Sequence, residues 1–162
     1  MRKPRVILFD DDVIILNMLE LFFKRKGYEV FQFSSPVVCP LKYPADSCKN
    51  LAPCADVIIS DYKMPQMTGQ ELFQHQSDRG CRIDCKMKAI MTGYLDEEIV
   101  KRCKDSGYKF FNKPFNLSVL SGWLSVCEQH FDLSQELNEI TLNKLDDFKE
   151  DVEYCTDPAV SQ

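Results

Sequence analysis

Five short apolar runs, each handing over to a polar residue or to a stretch with helical spacing, constrain this chain more than any other feature. Residues Arg5–Phe9 run into three consecutive aspartates, Asp10, Asp11 and Asp12, and residues 28–33 alternate apolar and polar. Residues 56–60 end at Asp61, residues 86–91 end at Thr92, and residues 108–111 stop just before Lys113. Runs this short and rich in β-branched and aromatic side chains read as strands. Between them, residues 13–26 place Ile14, Ile15, Met18, Leu19, Phe22 and Phe23 at helical spacing, and Gly27 follows as a stop. Residues 69–76, 96–105 and 117–128 read as further helices, the second of these with an acidic first turn. Residues 34–53 should hold the remaining crossover helix, but Pro36, Pro40, Pro44 and Pro53 make any helix there short or irregular. Strands alternating with helices predict an α/β, doubly wound, five-stranded parallel sheet covered by five helices, because parallel strands need crossover connections. In such sheets ligands gather at the carboxyl ends of the strands, which here carry Asp10, Asp11, Asp12, Asp61, Thr92 and Lys113.

Charge divides the chain. Of a net −5, residues 134–162 hold eight acids and two lysines, a local −6, so the remainder sits at +1. No basic surplus supports nucleic-acid binding. The apolar run Val6–Phe9 is too short for a signal peptide, no stretch is long enough to insert in a membrane, and a cytoplasmic protein is expected. The eight cysteines form no C-x-x-C pair, and with two histidines the spacing of a structural zinc site is missing. Scattered reduced thiols are expected, with a disulfide or metal left open only for Cys39, Cys48 and Cys54 in the proline-broken segment.

Carboxylates converging at one edge repel one another and raise each other's pKa unless a cation lies between them. An all-oxygen donor set suits Mg²⁺, which binds through one or two carboxylates and keeps water and phosphate oxygens for its other positions. Such an ion can neutralise a phosphoryl group on or near a carboxylate, Thr92 can donate a hydroxyl hydrogen bond to it, and Lys113 can add a point charge. Asp12 sits just before the first helix and reads rather as its N-cap.

Four segments then carry a resemblance: Ile7–Asp12 (ILFDDD), Asp61–Gly69 (DYKMPQMTG), Ile90–Tyr94 (IMTGY) and Asn112–Phe115 (NKPF). In order and content they resemble the receiver domain of two-component response regulators, over roughly residues 4–130 and of the stand-alone, chemotaxis-regulator-like type. The resemblance implies a flavodoxin-like fold and a phosphoryl group received on Asp61 from a histidine kinase or histidine phosphotransfer protein. It implies Mg²⁺ held by Asp10, Asp11, Asp61 and the carbonyl of Lys63, with Thr92 and Lys113 on the phosphoryl oxygens. Thr92 and Phe110 would be the switch pair, Phe110 lacking the hydroxyl of a tyrosine, and Lys63 and Tyr94 would tune the lifetime of the aspartyl phosphate. The Lys113–Pro114 bond resembles the family's cis peptide; an ordinary turn is the other reading. The resemblance makes the chain a phosphoacceptor rather than an enzyme.

Residues 131–162 are too short for a helix-turn-helix output domain. Leu133, Leu137, Ile140, Leu145, Phe148 and Val152 fall on one face of a helix, so an acidic amphipathic helical extension with a frayed end is expected, lying on its own domain or serving a partner or a homodimer. Two other functions fit less of the sequence. A haloacid-dehalogenase-like phosphatase would use Asp10 and Asp12 but leaves the Asp61 segment unexplained. A phosphorylation-independent docking module would not need the acids. The downstream target is expected to be a protein.

Overall fold

The structure is a computed structural model that describes residues 1–36, 48, 52–94 and 96–140. Five parallel strands, β1 (Arg5–Phe9), β2 (Glu29–Phe33), β3 (Val57–Asp61), β4 (Lys88–Thr92) and β5 (Lys109–Asn112), form one sheet in the order β2-β1-β3-β4-β5. Four helices are described, α1 (Val13–Arg25), α2 (Gly69–Asp78), α3 (Glu97–Asp105) and α4 (Leu117–Glu128). The flavodoxin-like sheet is as expected. The irregular crossover expected within 34–53 lies mostly outside the described residues, and so does Cys39. Among the described residues, Cys48 and Cys54 are not joined to each other by a disulfide.

Two apolar layers sandwich the sheet because its strands are buried on both faces. One layer joins Val6, Leu8, Val57, Ile59, Ala89 and Met91 to Leu16, Leu19 and Phe23 of α1 and Leu120 and Leu124 of α4. The other joins Ile7, Phe9, Ile58 and Ile90 to Leu72 and Phe73 of α2 and Ile99 and Cys103 of α3. Alternate residues of each strand thus serve opposite layers, the period-2 rule of a pleated strand. Each helix starts on a side-chain cap: Asp12 accepts from Ile14 N, Asp96 from Glu98 N and Asn116 from Ser118 N. Thr68 and Glu71 form a reciprocal capping box at α2. Asp12 is therefore a helix cap, as the sequence indicated.

The expected C-terminal helix is corrected over its described part. Residues 131–140 are turn and extended chain. The physical reason is competition for backbone groups. Asp132 Oδ1 accepts from Ser134 N (3.0 Å) and Ser134 Oγ (2.6 Å), a local turn that pre-empts helix formation. The carbonyls of Asp132, Leu133 and Gln135 accept from Arg2, and that of Asn138 accepts from Arg5. Asn138 N in turn donates to Pro53 O (3.1 Å). The segment is a strap running beneath the amino ends of the strands. Phe131 meets Tyr28 just before β2 (6.4 Å between rings), residues 132–135 meet Arg2 before β1, and Asn138 meets Pro53 before β3. The Arg2 guanidinium anchors it by also gripping Asp56 with two parallel bonds of 2.7 and 2.8 Å. Residues 141–162 lie outside the described residues.

Candidate functional site: an acidic pocket at the carboxyl edge of the sheet

The register brings the strand ends level. β1 and β3 pair Phe9 with Ser60, β3 and β4 pair Asp61 with Met91, and β4 and β5 pair Thr92 with Asn112. Asp10, one residue past β1, and Asp61, the last of β3, thereby face the same space from adjacent strands. Both are buried, while Asp11 is exposed. Carboxylate oxygens of Asp10, Asp11 and Asp61 lie within 4.8 Å of one another.

One cation answers two of these acids. Lys113 Nζ donates to Asp10 Oδ2 at 2.7 Å and to Asp61 Oδ1 at 2.8 Å. Asp10 Oδ1 also accepts from Asp12 N (2.9 Å), which orients its carboxylate. Lys113 is held by its backbone, whose N–H donates to Thr92 O at 2.7 Å, and the Lys113–Pro114 bond is cis. Burial pushes the Asp61 carboxyl above its ordinary value; the Lys113 hydrogen bond opposes this, and the charges of Asp10 and Asp11 add to it. Burial works against the Lys113 ammonium, yet its bonds to Asp10 and Asp61 outweigh that and hold its pKa above the usual value. Burial thus decides the direction at Asp61, and the two carboxylates decide it at Lys113.

Thr92 is buried beside this group, and its Oγ1 accepts from Tyr94 N at 3.1 Å. On the rim, Lys63 Nζ sits 5.2 Å from the centre of the exposed Tyr94 ring, a cation–π pair. Phe110 lies two residues before the end of β5, half-buried beside Ile90 in the α2/α3 layer rather than at the acidic edge. Sequence alone assigned no role to Gly69. Its N–H donates to Tyr62 O at 2.8 Å, and a Cβ there would collide with the Asp61 carbonyl oxygen and Ser60 Oγ. Its absent side chain lets the start of α2 pack against the backbone of Asp61, a close approach that the Thr-Gly pair at a helix start only hints at.

An acid triad answered by one lysine, with a buried threonine on the next strand, at the carboxyl edge of a doubly wound sheet, defines a phosphoacceptor signalling module. The chain belongs to the response regulator receiver domain family, whose model matches residues 6–124. Sporulation initiation phosphotransferase F of Bacillus subtilis is 26% identical over 123 residues, covering 74% of this chain and 90% of that protein. A cyclic di-GMP phosphodiesterase of Thermotoga maritima is 27% identical over 120 residues, but the chain spans only 28% of that longer protein. The receiver domain of the Francisella response regulator 1452 superposes with a TM-score of 0.64 at 18% identity, covering 78% of this chain and 98% of that one. Among the described residues no helix is long and apolar enough to cross a membrane.

Proposed function

We propose that the chain acts as a response regulator receiver that takes a phosphoryl group onto Asp61 and changes its affinity for a downstream protein in consequence. The observation that carries this is the cluster of Asp10, Asp11 and Asp61 within 4.8 Å, with Lys113 bonded to two of its members. An Asp61 carboxylate oxygen attacks the phosphorus of a phosphohistidine. The P–N bond breaks, its electron pair returns to the imidazole, and an acyl phosphate forms on Asp61. The three acids outnumber their lysine and offer only oxygen donors, so they fit Mg²⁺. Asp10, Asp11, Asp61 and the Lys63 carbonyl would hold the ion, which supplies charge neutralisation to the transferring group.

The chain's own groups supply the rest. Lys113 screens the negative charge of Asp61 from that of Asp10 and then serves a phosphoryl oxygen. Thr92 Oγ1 already accepts from Tyr94 N, so its proton is the donor offered to the phosphoryl group. Movement of Thr92 would open space beside β5 for Phe110, linking the site to the α3/β5/α4 surface by population shift. The Lys63–Tyr94 pair would cover the acyl phosphate and slow hydrolysis. A phosphodonor would dock on α1, whose Ile14 (78% exposed), Met18 and Leu21 form an apolar stripe one helical turn apart, starting beside the acids.

A phosphatase that uses Asp10 and Asp12 fits the geometry less well, because the Asp12 carboxylate caps α1 through Ile14 N at 2.9 Å. Turnover of a generic phosphomonoester by wild type and by Asp61→Asn, with none by Asp10→Asn, is the result that would restore that reading. Stoichiometric labelling of wild type that Asp61→Asn abolishes, with no turnover of the ester, supports the receiver reading.

A further inference from the structure

A cavity of about 260 Å³ opens at the amino edge of the sheet, far from the acids, between the starts of β4 and β5 and the last turns of α4. Its floor is apolar, with Met87, Tyr108 and Trp123, and its sides carry Lys86, Lys109 and His130. Asp84 lies close by, where its carboxylate accepts from Lys86 N at 2.8 Å and its charge acts on Lys86 and His130, but it does not line the cavity, whose charged side chains are all basic. A basic rim over an apolar floor selects an acidic segment with an apolar anchor.

The strap points to where such a segment comes from. It crosses the amino ends of β2, β1 and β3 in that order, and Ile140 packs against the α2/α3 layer. The next strands along the same edge are β4 and β5. Two strand spacings are about 10 Å, and five extended residues reach about 17 Å. Ile140 lies on the α2/α3 face and Trp123 and Cys127 of the cavity on the α1/α4 face, so the segment must also round the sheet edge; eight extended residues, about 27 Å, bring residue 148 to the cavity. The remaining chain places Asp146, Asp147 and Phe148 at that distance, and residues 141–162 carry six acids against two lysines.

We propose that the acidic segment around Asp146, Asp147 and Phe148 of this same chain is the occupant of the β4/β5/α4 cavity. Phe148 serves as the apolar anchor, and the acids answer Lys86 and Lys109. The clasp of Arg2 on the strap fixes the point from which the segment departs. The charge split between the halves of the chain then has a structural use: the acids are kept on the edge of the sheet opposite Asp61, where they add no repulsion to the phosphoacceptor site.

The single tryptophan, Trp123, lines the cavity and reports its occupancy in the full chain. Acrylamide quenching of Trp123 is compared in wild type, in Asp146→Lys/Asp147→Lys/Phe148→Ser, and in Lys86→Glu/Lys109→Glu. A tethered segment acts at an effective millimolar concentration, so quenching rises about twofold in either variant and stays constant on dilution of the wild type. The first variant alters nothing between residues 1 and 140, so misfolding of the receiver cannot imitate its effect. Equal quenching in wild type and the first variant overturns the proposal. Shielding that fades on dilution overturns it too, in favour of a second copy of the chain.

Discussion

Replacing Asp61 by Asn should stabilise the metal-free protein, although it removes an ion pair. In the fold, Asp61 faces Asp10 and Asp11 with oxygens within 4.8 Å and faces Lys113 at 2.8 Å. At an effective dielectric of about 20, each repulsion at that limit is worth about 3.5 kcal/mol and the attraction about 6 kcal/mol. Asp11 is exposed, so solvent reduces its share to about 1 kcal/mol. Repulsion then offsets all but about 1.5 kcal/mol of the attraction, and the cost of burying a charged carboxylate outweighs that remainder. That surplus is why the Asp61 carboxyl titrates above its ordinary 3.8. The sign follows directly. A folded pKa above the unfolded one means the unfolded chain releases its proton first, so stability falls as pH rises from 3.8 through the folded value. At neutral pH the ionised Asp61 therefore costs stability, and Asn, which still offers an oxygen to Lys113, does not. The expected gain is on the order of 1 kcal/mol, or about 3–5 °C in Tm. Thermal unfolding in EDTA measures it at neutral pH and again near pH 3, where Asp61 is protonated in both states and the gain should vanish. Loss of stability at neutral pH, or a gain that ignores pH, would refute the reasoning.

Lys113→Ala should do the opposite in the same assay, lowering stability by about 2–4 kcal/mol because Asp10 stays buried without its partner; an unchanged Tm counts against the coupling. Gly69→Ala should cost about 2 kcal/mol or more, since backbone rather than a mobile side chain blocks the new Cβ, and it should also slow phosphorylation by displacing Asp61. Thr68→Ala should cost about 1 kcal/mol at neutral pH by dissolving the α2 capping box. The Thr68 backbone and hydroxyl hold the Glu71 carboxyl below its ordinary 4.5, so this contribution is present above 4.5 and is lost as pH falls through the folded value; chemical denaturation near pH 3 should show a smaller deficit. Tyr94→Ala or Lys63→Asn should shorten the half-life of the aspartyl phosphate severalfold by opening the rim, followed by the decay of acid-labile label; a longer half-life would show that the pair does not shield.

The sheet and the pocket were legible because the same residues encode both. A buried parallel strand must be apolar and must end where its first exposed residue appears, so Asp10, Asp61 and Thr92 announce the carboxyl edge by interrupting their own runs. Lys113 was legible through its motif, since nothing in its local periodicity says that its amine reaches back to Asp10. Gly69 closed the Asp61–Gly69 motif, but its role was not legible because a glycine at a helix start has many uses, and only the tertiary approach of α2 to Asp61 selects among them. The strap misled helical-face reasoning for a related cause. Leu133, Leu137 and Ile140 have helical spacing, but Arg2 and Arg5, more than a hundred residues away, take up the carbonyls that a helix would need. Periodicity reports which side chains seek burial; it does not report which distant donors will take the backbone.

Asp61 as the acceptor is tested most directly by intact-mass spectrometry after incubation with acetyl phosphate and Mg²⁺. Wild type should gain the mass of one phosphoryl group, lose it on brief exposure to hydroxylamine, and gain none in EDTA, while Asp61→Asn gains none under any condition. Equal labelling of wild type and Asp61→Asn, or labelling that does not need Mg²⁺, would contradict it.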